Sequence, residues 1–131
     1  MLKRLAIILD QNIHGTTVIA VDSGAASDIL RYIMRDKVDT EFKEIRDLLK
    51  QNLRNRDKYC KVNVSDRAHN MFEMRFTRNG RNDRIYCQEV RAGKVRYIVM
   101  CALFEGKKSN EIPSKYRSRI ETIAGYEYEY R

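Results

Sequence analysis

An unbroken apolar run from Leu5 to Leu9 reads as a buried strand. Asn12 to Gly15 carry turn chemistry, and the β-branched run Thr16 to Val21 reads as a second strand, so the two suit a hairpin. The period then changes. Ala26, Ile29, Leu30, Ile33 and Met34 recur at helical spacing, with Asp22 or Ser23 as the candidate cap. A second helix is predicted over about residues 39–54. Phe42, Ile45, Leu48, Leu49 and Leu53 face inward there, and Glu41, Lys43, Glu44, Arg46, Asp47 and Lys50 form a solvated outer face. Together the two make an αα-hairpin that covers one face of a sheet.

After Asn55 the period becomes two. Cys60, Val62 and Val64 alternate with polar residues, and Phe72, Met74 and Phe76 alternate with Glu73 and Arg75. Glu73 and Arg75 therefore point away from the face the helices cover. Asn79-Gly80, between Arg78 and Arg81, is a strong hairpin signal. A strand from Arg84 to Val90 follows, then a turn at Arg91 to Gly93. Val95 to Phe104 is nearly continuous in apolar and aromatic residues, as suits a central strand buried on both faces. A polar loop over 105–110 leads to a last helix near 113–124, with Pro113 in its first turn and Gly125 as its cap. Tyr116, Ile120, Ile123 and Ala124 give that helix one apolar face. The tail from Tyr126 to Tyr130 alternates strictly, which fits an extra edge strand, a frayed terminus or an aromatic arm that stacks on RNA.

These elements predict an α+β fold: a twisted, mostly antiparallel sheet with an αα-hairpin on one face and a C-terminal helix. With 131 residues, no repeat and no Pro- or Ser-rich linker, the chain is expected to be one domain over 1–131, with a possible extra strand within 1–15.

Composition narrows the class. At 43% hydrophobic and 34% charged, the chain is neither a disordered nor a low-complexity sequence. It has no run of the ~20 apolar residues that a membrane span needs. The start of the chain lacks the pattern of a signal peptide, so a cytoplasmic location is expected. Three cysteines, none in a C-x-x-C pair, and two histidines argue against a disulfide framework or a zinc site. Cys87 and Cys101 are expected to be core residues.

The net charge of +8 is concentrated in one region. Residues 67–119 hold thirteen basic residues against five acidic ones, and nine of the thirteen are Arg, the side chain that grips phosphate in a bidentate fork. Such a surplus suits a polyanion such as nucleic acid, an acidic protein partner, or simply a solvated surface.

The meander resembles the RelE/HigB superfamily of bacterial toxins. Glu73, Arg75, Phe76, Arg84, Phe104, Lys107, Lys108 and Pro113 match the superfamily's pattern in order and spacing. The resemblance covers about residues 59–124 and is topological over 16–55; the first fifteen residues have no counterpart. It implies a metal-free endoribonuclease, with no cofactor, that cuts mRNA, usually on the ribosome, by attack of a ribose 2′-oxygen on the adjacent phosphate. It also implies a cognate antitoxin protein, through which the pair could reach operator DNA, and no membrane partner. Arg84 takes the place of the arginine that contacts the scissile phosphate. Arg75, Lys107 and Lys108 complete the implied catalytic set, although one extra residue after Phe104 blurs which lysine takes which place. Arg78 and Arg81 are candidate RNA-binding residues. Tyr86, two residues after Arg84 on the same side of the strand, is a candidate to stack on a base or serve as an acid, or else a packing residue.

Cleavage of this kind needs a base for the 2′-OH proton, cations for the phosphoryl oxygens and an acid for the leaving oxygen. Glu73 is either that base or an ion-pair partner of Arg75. Members of the superfamily place a His or Tyr near the end of the last strand, whereas this chain offers Phe104 and Ile112 there, with Tyr116 only inside the helix. The histidines, His69 and His14, lie in expected loop and turn positions. Two further readings therefore stand beside the enzyme: a module of the same fold that binds RNA, ribosome or an acidic protein without cutting, and an unrelated α+β domain whose charge serves solubility.

Overall fold

The computed structural model describes residues 3–106 and 114–131. In chain order its elements are β1 (Arg4–Gln11), β2 (Thr17–Asp22), α1 (Ala26–Ile33), α2 (Val38–Lys50), β3 (Tyr59–Lys61), β4 (Met71–Phe76), β5 (Asp83–Ala92), β6 (Val95–Phe104), α3 (Ser114–Ala124) and β7 (Tyr128–Tyr130). The strands form one open sheet in the order β3-β4-β5-β6-β2-β1-β7. It is mixed, because β2 runs parallel to β6 and β7 parallel to β1, while the other four pairings are antiparallel. The class is α+β, with more strand than helix.

Two cores sit on opposite faces. Under α1 and α2, Ile29, Tyr32, Phe42, Ile45 and Leu49 pack on Ile19, Met74, Phe76, Ile85 and Met100. Under α3, Ile120 and Ile123 pack with Met71, Tyr86, Val99 and Ala102. Period-two alternation in β4 produces this division. Met74 and Phe76 serve the first core, while Met71 serves the second and Glu73 and Arg75 share its side of the strand. The β4–β5 connection holds Asn79 at φ 58° and Gly80 at φ 75°, the left-handed pair that the Asn-Gly signal predicts.

Several expectations are corrected. Leu5 to Leu9 form a strand, but Ile7, Ile8 and Leu9 are each more than a third exposed, because β1 lies next to the sheet edge. α2 stops at Lys50, and Asn52 at φ 57° turns the chain away, which leaves Leu53 half-exposed rather than inward. Glu41 is not on a solvated face; it is buried beneath the β4–β5 turn. Neither Asp22 nor Ser23 caps α1 through its side chain. Asp22 instead accepts a bidentate pair from Arg4 (2.8 and 2.9 Å), the Tyr128 hydroxyl (2.7 Å) and the Gly24 N–H (2.7 Å). The middle of β6, Ile98 to Ala102, is buried on both faces, but its two ends are only half-buried.

The tail settles into an edge strand. Tyr126, Tyr128 and Tyr130 turn inward while Glu127 and Glu129 stay exposed, and Tyr130 stacks on Tyr97 at 4.0 Å between ring centroids. Cys87 and Cys101 are buried. Pro113 and the loop beyond Gly106 lie outside the described residues.

Candidate anion site on the sheet

β4 and β5 carry the groups that matter most. Their register sets Glu73 opposite Tyr86 and Arg75 opposite Arg84, and β6 continues the rows with Ala102 opposite Tyr86 and Phe104 opposite Arg84. All four polar side chains therefore share the face that α3 covers. The Glu73 carboxylate is the hub: Arg75 Nε lies 3.0 Å and Arg84 Nε 3.7 Å from the same Oε1, and the Cys60 thiol lies 3.6 Å from it. Two guanidiniums directly across a ladder repel, and the shared carboxylate offsets that repulsion.

Exposure divides the group. The Arg75 side chain is 30% exposed and reaches solvent, whereas Arg84 is only 3% exposed and Tyr86 2%. Arg84 Nη1 donates to the Asp83 carbonyl at 3.0 Å, but among the described residues neither its Nε nor the Tyr86 hydroxyl has a hydrogen-bond partner. Burial first, and then the Glu73 carboxylate, push the Tyr86 phenol up to about 12. The Cys60 thiol is pushed up for the same two reasons, which makes it a poor nucleophile.

The sequence treats Arg78 and Arg81 as RNA-binding, but both are drawn to α2. Arg81 donates to Glu41 at 2.7 Å and Arg78 pairs with Glu44. Periodicity could not foresee this, because the partners lie on a helix more than thirty residues earlier in the chain. Five arginines of the basic stretch (Arg75, Arg78, Arg81, Arg84 and Arg96) are held in ion pairs. Much of the local charge surplus is thus consumed inside the fold. Arg67, Arg117 and Arg119 are exposed, on α3 and on the short turn at Asp66–Ala68 that packs against it.

Lys107 and Lys108 lie outside the described residues. The described chain leaves β6 at Gly106, whose N–H donates to Asp83 Oδ1 at 2.7 Å, one residue before Arg84. Asp83 is also bonded by the Tyr32 hydroxyl at 2.6 Å, a buried link between α1 and the start of β5 that the sequence did not signal. His69 is exposed, with Nδ1 3.2 Å from the Asp66 carbonyl. Among the described residues, no group of three or more His, Cys, Asp or Glu is placed to hold a metal ion, and no helix is long and apolar enough to cross a membrane. Comparisons with protein-family models, curated proteins and solved structures returned no match.

Proposed function

We propose that this protein is a RelE/HigB-like endoribonuclease that cuts mRNA without a metal, inhibited by a cognate antitoxin. The observation that carries this reading is the Arg75–Arg84 pair, set face to face on adjacent strands with the Glu73 carboxylate between them and Tyr86 beside it. Phosphodiester cleavage by a neighbouring 2′-oxygen needs this combination of cations to hold the phosphoryl oxygens and proton-carrying groups beside them. The succession of two helices, a run of strands and a closing helix, β2-α1-α2-β3-β4-β5-β6-α3, is a second support for this reading. In this reading Arg75 meets the phosphate from solvent and Arg84 supports it from below, with Lys107 and Lys108, which follow Gly106 in the sequence, as the further candidate cations.

The burial of Arg84 and Tyr86 favours a second reading, a module of the same fold that binds RNA, ribosome or an acidic protein through Arg75 and the exposed arginines without cutting. Inducible expression in a bacterial host separates the two. Wild type is compared with Arg84→Ala and Arg75→Ala, and message 5′ ends are mapped in each culture. Growth arrest with new cuts that both substitutions abolish supports the enzyme. A folded wild-type protein that neither slows growth nor cuts message, yet binds RNA in a salt-dependent way, supports the binding module.

A further inference from the structure

A crevice lies away from the Glu73 cluster, where the parallel strands β2 and β6 part company. Their last paired rung is Val21 with Met100, whereas β6 continues alongside β5 as far as Phe104. β2 leads into α1 on one face of the sheet, and the chain after β6 leads to α3 on the other. Neighbouring parallel strands whose connections leave to opposite faces open a crevice beyond their carboxyl ends, and open sheets bind ligands at such switch points. Here Ala102 and Leu103 form the floor, the first turns of α1 one wall, and Arg119 of α3 the other.

The crevice is lined by three guanidiniums: Arg31, Arg35 and Arg119. Arg35 is engaged with Glu105 at 2.5 Å. Arg31 and Arg119 are exposed, and no ion pair or side-chain hydrogen bond holds either among the described residues. Ala102, Leu103 and Arg119 also line a small aromatic pocket formed by Tyr86, Phe104 and Tyr116. The crevice therefore adjoins that pocket, sharing Ala102, Leu103 and Arg119 with it, and Tyr86 of the Glu73 cluster lines the pocket.

We propose that this switch-point crevice is a second phosphate-binding site, in which Arg31 and Arg119 hold the backbone of single-stranded RNA on the stretch flanking the nucleotide held at Arg75. The proposal rests on the RNA reading above and deepens it. Two guanidiniums on facing walls, with no ion pair among the described residues, suit a phosphate that passes between them. The Asp28 carboxylate on the α1 wall opposes the anion and keeps the site weaker than the arginines alone would make it.

The test is fluorescence anisotropy with a labelled 2′-O-methyl RNA hexamer, whose blocked 2′-oxygen prevents cleavage, at several salt concentrations. Arg31→Ala and Arg119→Ala each lower affinity about three- to tenfold and flatten the salt dependence by about 0.7 in slope, the loss of one contact to a single strand. Arg31→Lys and Arg119→Lys keep the charge and fall between wild type and Ala. Asp28→Asn tightens binding. If Arg75→Ala weakens binding while the double Ala variant keeps wild-type affinity and slope, the crevice proposal is overturned and the RNA reading survives. If wild type itself binds no hexamer, the RNA reading falls and the crevice proposal with it. A poly-glutamate peptide whose binding depends on Arg31 and Arg119 where RNA binding does not also overturns the proposal.

Discussion

Arg75 and Arg84 stand directly opposite each other on β4 and β5, and one oxygen of Glu73 lies within 4 Å of both guanidiniums. The carboxylate between them offsets the repulsion of the two like charges, so the stability of this part of the sheet depends on Glu73.

Glu73→Gln removes that carboxylate and leaves Arg84 buried without a counter-charge. It is expected to destabilise the protein by about 3 kcal/mol in urea unfolding, the usual cost of breaking a buried ion pair. Arg84→Met costs less, because Arg75 still pairs with Glu73. The double variant recovers at least 1 kcal/mol relative to the sum of the singles, since the two residues are coupled. Strict additivity would show that the 3.7 Å approach carries no interaction.

Arg81→Ala and Arg78→Ala are expected to behave differently, although the sequence places them in one role. Arg81 meets a Glu41 that is 1% exposed and that also accepts the Thr77 N–H. Its loss strands a buried carboxylate and lowers stability by about 2–4 kcal/mol. Arg78 pairs with Glu44 in solvent, so its replacement leaves the unfolding midpoint unchanged. Thermal melts of the two variants decide this. If Arg81→Ala melts with wild type, Glu41 is not held by that pair.

These two arginines show how far the sequence reaches. The hydrophobic periods locate α1, α2, β4, β5, β6 and the alternating tail, because burial on a helix or strand face is a local signal. Alternation also places Glu73 and Arg75 on the face opposite Phe72, Met74 and Phe76, as the structure has it. Register across strands is not local. Nothing in the chain says that Arg75 opposes Arg84, that Glu41 receives Arg81, or that Asp22 anchors β7 through Tyr128 106 residues away. The exposed run Ile7 to Leu9 misleads for the same reason, since only the strand order places β1 near an edge. The sequence predicts α3 without saying which face of the sheet it covers, so it does not foresee that the face of Glu73, Tyr86 and Arg84 is a buried one.

Tyr86→Phe separates packing from chemistry. The hydroxyl is buried without a partner among the described residues, so its removal is expected to leave stability unchanged or raise it by up to about 1 kcal/mol. In the enzyme reading the same variant loses RNA cleavage by tenfold or more while hexamer binding is kept, because a proton carrier has gone and the cations remain. Unchanged cleavage would leave Tyr86 a packing residue.

The last prediction concerns acid. Burial opposes the charge on Asp22, but hydrogen bonds from Arg4, Tyr128 and Gly24 outweigh it and hold the Asp22 carboxyl below its usual range. A carboxyl depressed in the folded state adds stability above its unfolded value, near 4, and that stability is lost as pH falls through the lower folded value. Urea unfolding followed from pH 7 to pH 2 should therefore show stability that is level above about pH 5 and falls below about pH 4. Asp22→Asn lowers the plateau by about 2–4 kcal/mol, because Arg4 loses its counter-charge, and it removes part of the acid slope. Tyr128→Phe keeps the carboxylate but takes away one donor, so it lowers the plateau by about 1 kcal/mol and shifts the acid fall to higher pH. An Asp22→Asn variant that retains the full wild-type acid slope would assign acid sensitivity to other carboxylates, and Asp10, held low by Lys50 and Arg46, is the next to test.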